Sequence, residues 1–268
     1  YELEGNLDKA IEYYQKALAF DPSNTKLRSK IANIFIRQND YDKAINEFEK
    51  LSDFDKGDLS VRAKIGLLHL EKGRYDEAVR EFNLLLASKP GNNLVRLYLA
   101  IALKEKGDTK TAIDELLKID PRSEEFKSAV KSLTFLYIKS GMTDEGIRVL
   151  NGYLETLKNS PELYVMLSTL YEEKADYPKA INMLNEARKY DQKNLDLLYQ
   201  IGMLYEKSGD TDKALVHMED VLRSDPEHTN ALNFVGYTWA DKGINLDKAE
   251  AMIKKALSKK PDDGYIID

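Results

Sequence analysis

Three histidines, His69, His217 and His228, and the adjacent carboxylates Glu172 and Glu173 are the side chains with most scope for acid–base or metal chemistry. A zinc site would need cysteine or a second histidine at ligand spacing. The chain has no cysteine and no histidine pair so spaced. Paired carboxylates act as acid and base only where their surroundings push their pKa values apart, and nothing beside Glu172 and Glu173 is placed to do so. Neither G-x-G-x-x-G nor G-x-x-x-x-G-K occurs, so there is no phosphate-cradling loop. No catalytic residue, cofactor or metal ligand is assigned. The absence of cysteine also excludes disulfides within this chain. A net charge of −6 and a pI near 5.4 argue against general nucleic-acid binding. No apolar stretch is long enough to span a bilayer, so direct membrane insertion is not expected.

The elements that hold these side chains come from a repeat. Ala10, Ala44, Ala78, Ala112, Gly146, Ala180, Ala214 and Ala249 recur every 34 residues, with one extra residue before the last. Self-similarity at such a period means stacked supersecondary units. Five residues earlier stand Gly5, Asn39, Gly73, Gly107, Gly141, Ala175, Gly209 and Gly243. Glycine and asparagine accept left-handed backbone, so this column is expected to stop a helix. A second helix should follow at once. Asp8, Asp42, Asp76, Asp144, Asp212 and Asp247 place negative charge in its first turn, Pro178 suits its first position, and Thr109, Thr143 and Thr211 are expected to cap it. Pro22, Pro90, Pro226 and Pro261 end that helix. Apolar residues between the breakers fall at helical spacing, as at Ile31, Ile34 and Phe35 or Leu184 and Ala187. Each unit therefore reads as helix A, a tight turn and helix B. Two such helices approach closely only where side chains are small, which explains the recurring alanine and a second column of Ala32, Gly66, Ala100, Thr134, Ser168, Gly202 and Gly236.

These columns resemble the tetratricopeptide repeat family over nearly the whole chain. The run Asn6 to Pro22 looks like the second half of its motif, and Leu198-Tyr199-Gln200-Ile201-Gly202-Met203-Leu204-Tyr205 like the first. The resemblance implies an all-α, right-handed superhelical solenoid whose A helices line a concave groove used to bind protein or peptide. On that pattern 1–268 is one solenoid. Its repeats are 1–24 (partial), 25–58, 59–92, 93–126, 127–160, 161–194, 195–228 and 229–263, with 264–268 starting a ninth. Two departures stand out. The column where the family often has Trp reads Arg28, Arg62, Arg96, Val130, Tyr164, Leu198 and Leu232. Pro121 comes three residues before the usual terminator, and Asp120 with Pro121 is expected to begin the next helix early, extending it towards Ser140.

The resemblance also implies which side chains face the groove. They are Lys26, Asn33 and Arg37 in the second repeat, and Leu67, Leu70, Leu94, Leu97, Ile101, Phe135 and Ile138 in the third to fifth. The sixth to eighth add Glu162, Glu172, Glu173, Asp196, Tyr199, Met203, Glu206, Tyr237 and Asp241. An apolar middle would receive a helix or extended peptide, while the acids either select a basic flank or are simply solvated. The family's carboxylate clamp is missing. Asn33 is in place, but Ser29 replaces the neighbouring lysine, and Leu94 and Tyr98 replace the later basic pair. Arg28, Arg62 and Arg96 are expected to lay their stems across apolar neighbours and pair with nearby glutamates; the sharper alternative is a row that grips an acidic partner. His69 shares a core-facing column with Phe35, Leu103, Tyr137, Tyr171, Tyr205 and Trp239, whereas His217 falls on a helix surface and His228 in a loop.

Tyr1 falls at the eleventh position of a first helix, and Gly264 to Asp268 open a further unit, so the chain reads as a segment of a longer array. Ends without polar capping helices are expected to favour self-association. The residues from Thr229 onwards resemble long bacterial members of the family, many of which are associated with the cell envelope or secretion. The leading expectation is a non-enzymatic scaffold for protein partners. The alternative is a recruiting arm of an enzyme or envelope assembly whose other parts lie outside this segment.

Overall fold

The computed structural model describes residues 1–2, 5–54, 58–157 and 159–260. These residues contain fifteen α-helices and no strand. In the first half they are α1 (Leu7–Phe20), α2 (Thr25–Arg37), α3 (Tyr41–Phe54), α4 (Leu59–Glu71), α5 (Tyr75–Ser88), α6 (Asn93–Lys106) and α7 (Thr109–Leu116). Then come α8 (Phe126–Lys139), α9 (Thr143–Thr156), α10 (Pro161–Glu173), α11 (Tyr177–Arg188), α12 (Leu195–Lys207), α13 (Thr211–Ser224), α14 (Thr229–Asp241) and α15 (Leu246–Lys259). The even-numbered helices are A helices and the odd-numbered ones B helices. The chain forms two compact units, Tyr1–Ser132 and Leu133–Asp268. In the first, α2 pairs with α3, α4 with α5 and α6 with α7, and each pair packs on the one before. The second repeats this with α10 and α11, α12 and α13, and α14 and α15. This is an all-α helical repeat fold.

The stop column works throughout. Every member has positive φ, from 55° at Ala175 to 91° at Gly107. The amide that follows reaches back to a carbonyl in the aromatic column: Asp40 to Phe35 and Arg74 to His69 at 2.9 Å, and Met142 to Tyr137 at 2.8 Å. This is the six-to-one bond of a Schellman stop, which satisfies a carbonyl the helix leaves orphaned. Tyr1 and Glu2 are not helical, yet the Asn6 amide still reaches the Tyr1 carbonyl at 2.9 Å.

The small columns are as tight as their composition implies. Ala44, Ala78, Ala112, Ala180 and Ala214 have no exposed surface. A Cβ placed on Gly66 would lie 2.8 Å from the Phe82 ring, on Gly146 2.9 Å from Tyr137, and on Gly202 2.9 Å from Met218. These distances are shorter than any carbon pair tolerates, so the helices of a pair meet at these glycines.

Two local expectations are corrected. Thr109, Thr143 and Thr211 are the first helical residues, not the caps. In all but the last unit one residue separates the left-handed stop from the first turn, and where it is Asp or Asn its side chain does the capping; Arg74 and Met142 at this place make no such bond. Asp108, Asp176 and Asp210 accept the amides of Thr111, Lys179 and Lys213, and Asn6 accepts that of Lys9. Pro121 does not begin a helix. After α7 the chain tightens through amide bonds from Lys118 to Glu115 and Ile119 to Leu116, which carry Ile119 into the core. The Asp120 carboxylate accepts the Arg122 amide at 2.9 Å, folding Asp120–Ser123 into its own turn, and α8 starts only at Phe126. Pro261 and the ninth unit at 264–268 lie outside the described residues.

Successive pairs are also stitched by residues thirty apart. Asp8 accepts from Gln38 at 2.9 Å, Asp76 pairs with Lys106 at 2.6 Å, and Asp42, Asp144 and Asp212 pair with Lys72, Lys174 and Lys242. Acid in the first turn of a B helix thus meets base at the end of the next A helix, favourable for both helix dipoles. These pairs are exposed, so each contributes little to stability.

Candidate functional site

A surface that binds a partner needs side chains that the fold positions but leaves uncovered. In the first unit, α2 leaves Asn33 and Arg37 exposed. On α4, Leu67 and Leu70 are half-buried. On α6, Leu94 keeps 46% of its surface and Ile101 is half-buried. Leu97 is the exception: it is buried at 9%, so it belongs to the packing and not to an accessible surface. The reason lies in its helix. α6 packs on α5 and α7 and also touches α4, which leaves less of its circumference open.

In the second unit, α8 exposes Phe135 at 48% and leaves Ile138 half-buried. Tyr199 and Met203 on α12 are half-buried, and Tyr237 on α14 is 63% exposed. The Tyr199 ring lies 5.2 Å from that of His228. Burial raises its phenol pKa, and a hydrogen bond with Asn230 partly offsets this.

The acids divide. Glu173 and Asp241 are exposed. Glu172 pairs with Lys207 at 2.5 Å, a bond between successive A helices that raises the lysine pKa and offsets the charge of this carboxylate. Glu206 is half-buried, and its Oε2 has no hydrogen-bond partner among the described residues.

The arginine row is internal. Arg28 meets Glu47 at 3.0 Å, Arg62 meets Glu81 at 3.2 Å, and Arg96 meets Glu115 at 2.5 Å, each glutamate nineteen residues on. Arg28 and Arg96 also donate to the carbonyls of Pro22 and Pro90. The Arg28 guanidinium lies 5.7 Å from the centre of the Phe54 ring. Both side chains of the first and third pairs are only 13% exposed and those of the second 28% and 21%, so each arginine is engaged by its own glutamate within the fold.

The histidines are structural too. His69 is buried in the helix-pair core, and desolvation lowers its pKa, partly offset by Glu77. His217 is half-buried and stacked on Tyr205, with ring centres 5.2 Å apart, in place of the surface position expected from sequence. Desolvation lowers its pKa as well. His228 caps α14: its Nδ1 accepts the Ala231 amide at 3.2 Å. It occupies a column, Asn24, Asp58, Asn92, Ser160, Asn194 and His228, that supplies the N-cap residues of A helices. The 34-residue register of these polar residues was the signal that could have found it. Among the described residues no group of three or more His, Asp or Glu could hold a metal ion, and no helix is long and apolar enough to cross a membrane.

Comparison with known proteins agrees with this anatomy. One tetratricopeptide repeat model matches residues 3–68 and 170–236, and a second matches 63–124. No curated protein matches the chain. Among solved structures, the C-terminal part of a TPR repeat-containing protein from Cytophaga hutchinsonii is similar with a TM-score of 0.66 and 15% identity, over 89% of this chain and 98% of that one. A tetratricopeptide repeat protein from Parabacteroides merdae gives 0.55 and 16%, over 91% and 96%. The APC/C hetero-tetramer Cut9–Hcn1 gives 0.51 and 17%, over 98% of this chain and 51% of that one. Identities this low speak for the fold alone. Taken with the eightfold register, the left-handed stops and the paired helices, the repeat matches show that this chain belongs to the tetratricopeptide repeat family.

Proposed function

We propose that the chain is a non-enzymatic scaffold that recruits a protein or peptide through the open faces of its A helices. The observation that carries this reading is Leu94. It is a large apolar side chain, 46% exposed, on a helix whose neighbour α4 adds the half-buried Leu67 and Leu70. Apolar surface of this kind is stabilised by a partner that removes it from water. Asn33 and Arg37 supply polar groups on α2 of the same unit. In the second unit Phe135, Ile138, Met203 and Tyr237 offer the same chemistry on A helices, with Glu173 and Asp241 as exposed acids. An amphipathic helix or an extended peptide with apolar anchors fits such a surface.

The test compares two exposed leucines of the first unit on different helix types. Leu94 lies on an A helix, and Leu84, 52% exposed, on the B helix α5. Partners that co-purify with the chain from its native cells should be lost with Leu94→Asp and kept with Leu84→Asp, both variants keeping the helical signal of the parent. Retention with Leu94→Asp would remove this surface from the site.

A further inference from the structure

In the first unit, the arginine column fills the space between the end of one B helix and the start of the next A helix. Arg28 and Arg96 each reach a glutamate and a proline carbonyl there. At the corresponding place beside α12 the arginine is Leu198 and the glutamate is His217. Leucine cannot extend across the gap. A cavity of about 480 Å³ opens instead, lined by Arg188, Lys193, Asn194, Leu198, Asp220 and Arg223 among others.

The charges around this cavity do not cancel. Asp220 is held by Arg223 three residues on. Arg188 is half-buried, makes no ion pair among the described residues, and has a buried Nε without an acceptor. Arg28 and Arg96 share the unsatisfied Nε, but their terminal nitrogens are bonded. Lys193 adds a second cation without an ion pair among the described residues. A partly desolvated guanidinium needs an anion, and its planar fork matches a carboxylate or a phosphate. We infer that this cavity, formed where Leu198 replaces the arginine plug, binds an oxyanion carried by a ligand, with Arg188 as its principal contact. Its volume admits the anionic group together with part of its carrier. The lining comes from columns other than the open faces of the A helices, so the site stands whether or not those faces recruit a partner.

The experiment titrates the full chain with inorganic phosphate and, separately, with succinate, at constant ionic strength set by sodium chloride. Binding is followed by thermal shift and by the imidazole NMR signals. A saturable stabilisation is expected with at least one anion. The His217 signal should move, because Arg188 acts on its charge, while His69 in the other unit should not. Response to phosphate alone identifies a phosphorylated ligand, and response to succinate alone a carboxylate. Arg188→Gln should weaken binding roughly tenfold or more, as expected for loss of a charge-assisted bond, and Arg148→Gln, an exposed arginine of the same unit, should not. The double variant Leu198→Arg/His217→Glu restores the plug and should fold and lose the response. No saturable response to either anion, or an unchanged response in both Arg188→Gln and the double variant, overturns the inference.

Discussion

The two units solve one packing problem with different chemistry. In Tyr1–Ser132 the fourth position of helix A is arginine in α2, α4 and α6, and nineteen residues on is glutamate, while α8, which spans the boundary of the two units, has Val130 with Val149. In Leu133–Asp268 the same pair of columns reads Tyr164 with Met183, Leu198 with His217 and Leu232 with Ala251. The aromatic end of the B helix follows suit. Arg28 lies over Phe54 in the first unit, and Tyr164 stacks on Tyr190, with centres 6.4 Å apart, in the second. The ion pairs of α2–α7 thus give way to residues that carry no opposed charges. The difference teaches that the arginine row is a packing device. A buried ion pair can be exchanged for apolar neighbours at small cost, but losing one partner leaves an uncompensated charge.

The sharpest break of this comparison is therefore a single deletion. Glu115→Ala should cost about 2–3 kcal/mol, towards the lower end for a broken buried pair because 13% exposure remains. The double change Arg96→Leu/Glu115→His, which imports the α12–α13 combination, should cost less than about 1 kcal/mol. Urea unfolding decides, and a double variant as unstable as the single one would show that the columns are not coupled. Overpacking comes next. Ala112→Leu in one unit and Ala180→Leu in the other should each lose roughly 1–3 kcal/mol, since both alanines have no exposed surface. A large effect in one and none in the other would mean that the helix pairs are not equivalent.

The stop column has one non-glycine in each unit, Asn39 at φ 58° in the first and Ala175 at 55° in the second, and of the two only asparagine accepts left-handed backbone readily. Ala175→Gly should raise stability by about 1 kcal/mol, because a Cβ is strained in left-handed backbone. Unchanged or lower thermal stability would contradict that strain. The smallest effect concerns pH. His69 and His217 have pKa values held below the ordinary range by burial. Below the pKa of an exposed histidine, the unfolded chain takes up protons that the folded chain resists. Stability present at neutral pH is therefore lost as the pH falls through that range towards the folded values. His69→Leu, the residue its column has at Leu103, should flatten this dependence between pH 7.5 and about 5.5 in urea melts. An unchanged slope would show that His69 does not contribute to it.

Much of this was legible in sequence because a fixed period writes the same physical demand many times. Eight stop residues and eight small residues predicted helix pairs, and even Ala175 obeyed its column against its own preference. Details that depend on one residue of offset were less secure. The caps lie one place before Thr109 and Thr211, since the linking residue is dictated by backbone geometry and not by side-chain type. Pro121 looked like a helix start because the pull of Ile119 into the core cannot be read from a proline. The open face was legible only in part. Leu94 and Leu97 are equally apolar, and their difference in exposure arises from how neighbouring helices cover α6. The cavity beside Arg188 was illegible, since it exists through what Leu198 fails to fill.

Recruitment of a partner through the A helices is the central property proposed for this chain. Site-specific photo-crosslinking tests this directly, with a photoreactive phenylalanine placed at Leu94 or at Leu84 in the chain expressed in its native cells. The two positions are matched in exposure, at 46% and 52%. A discrete protein adduct is expected from Leu94 and none from Leu84. An adduct from Leu84 alone, or from neither position, would contradict recruitment through the A helices.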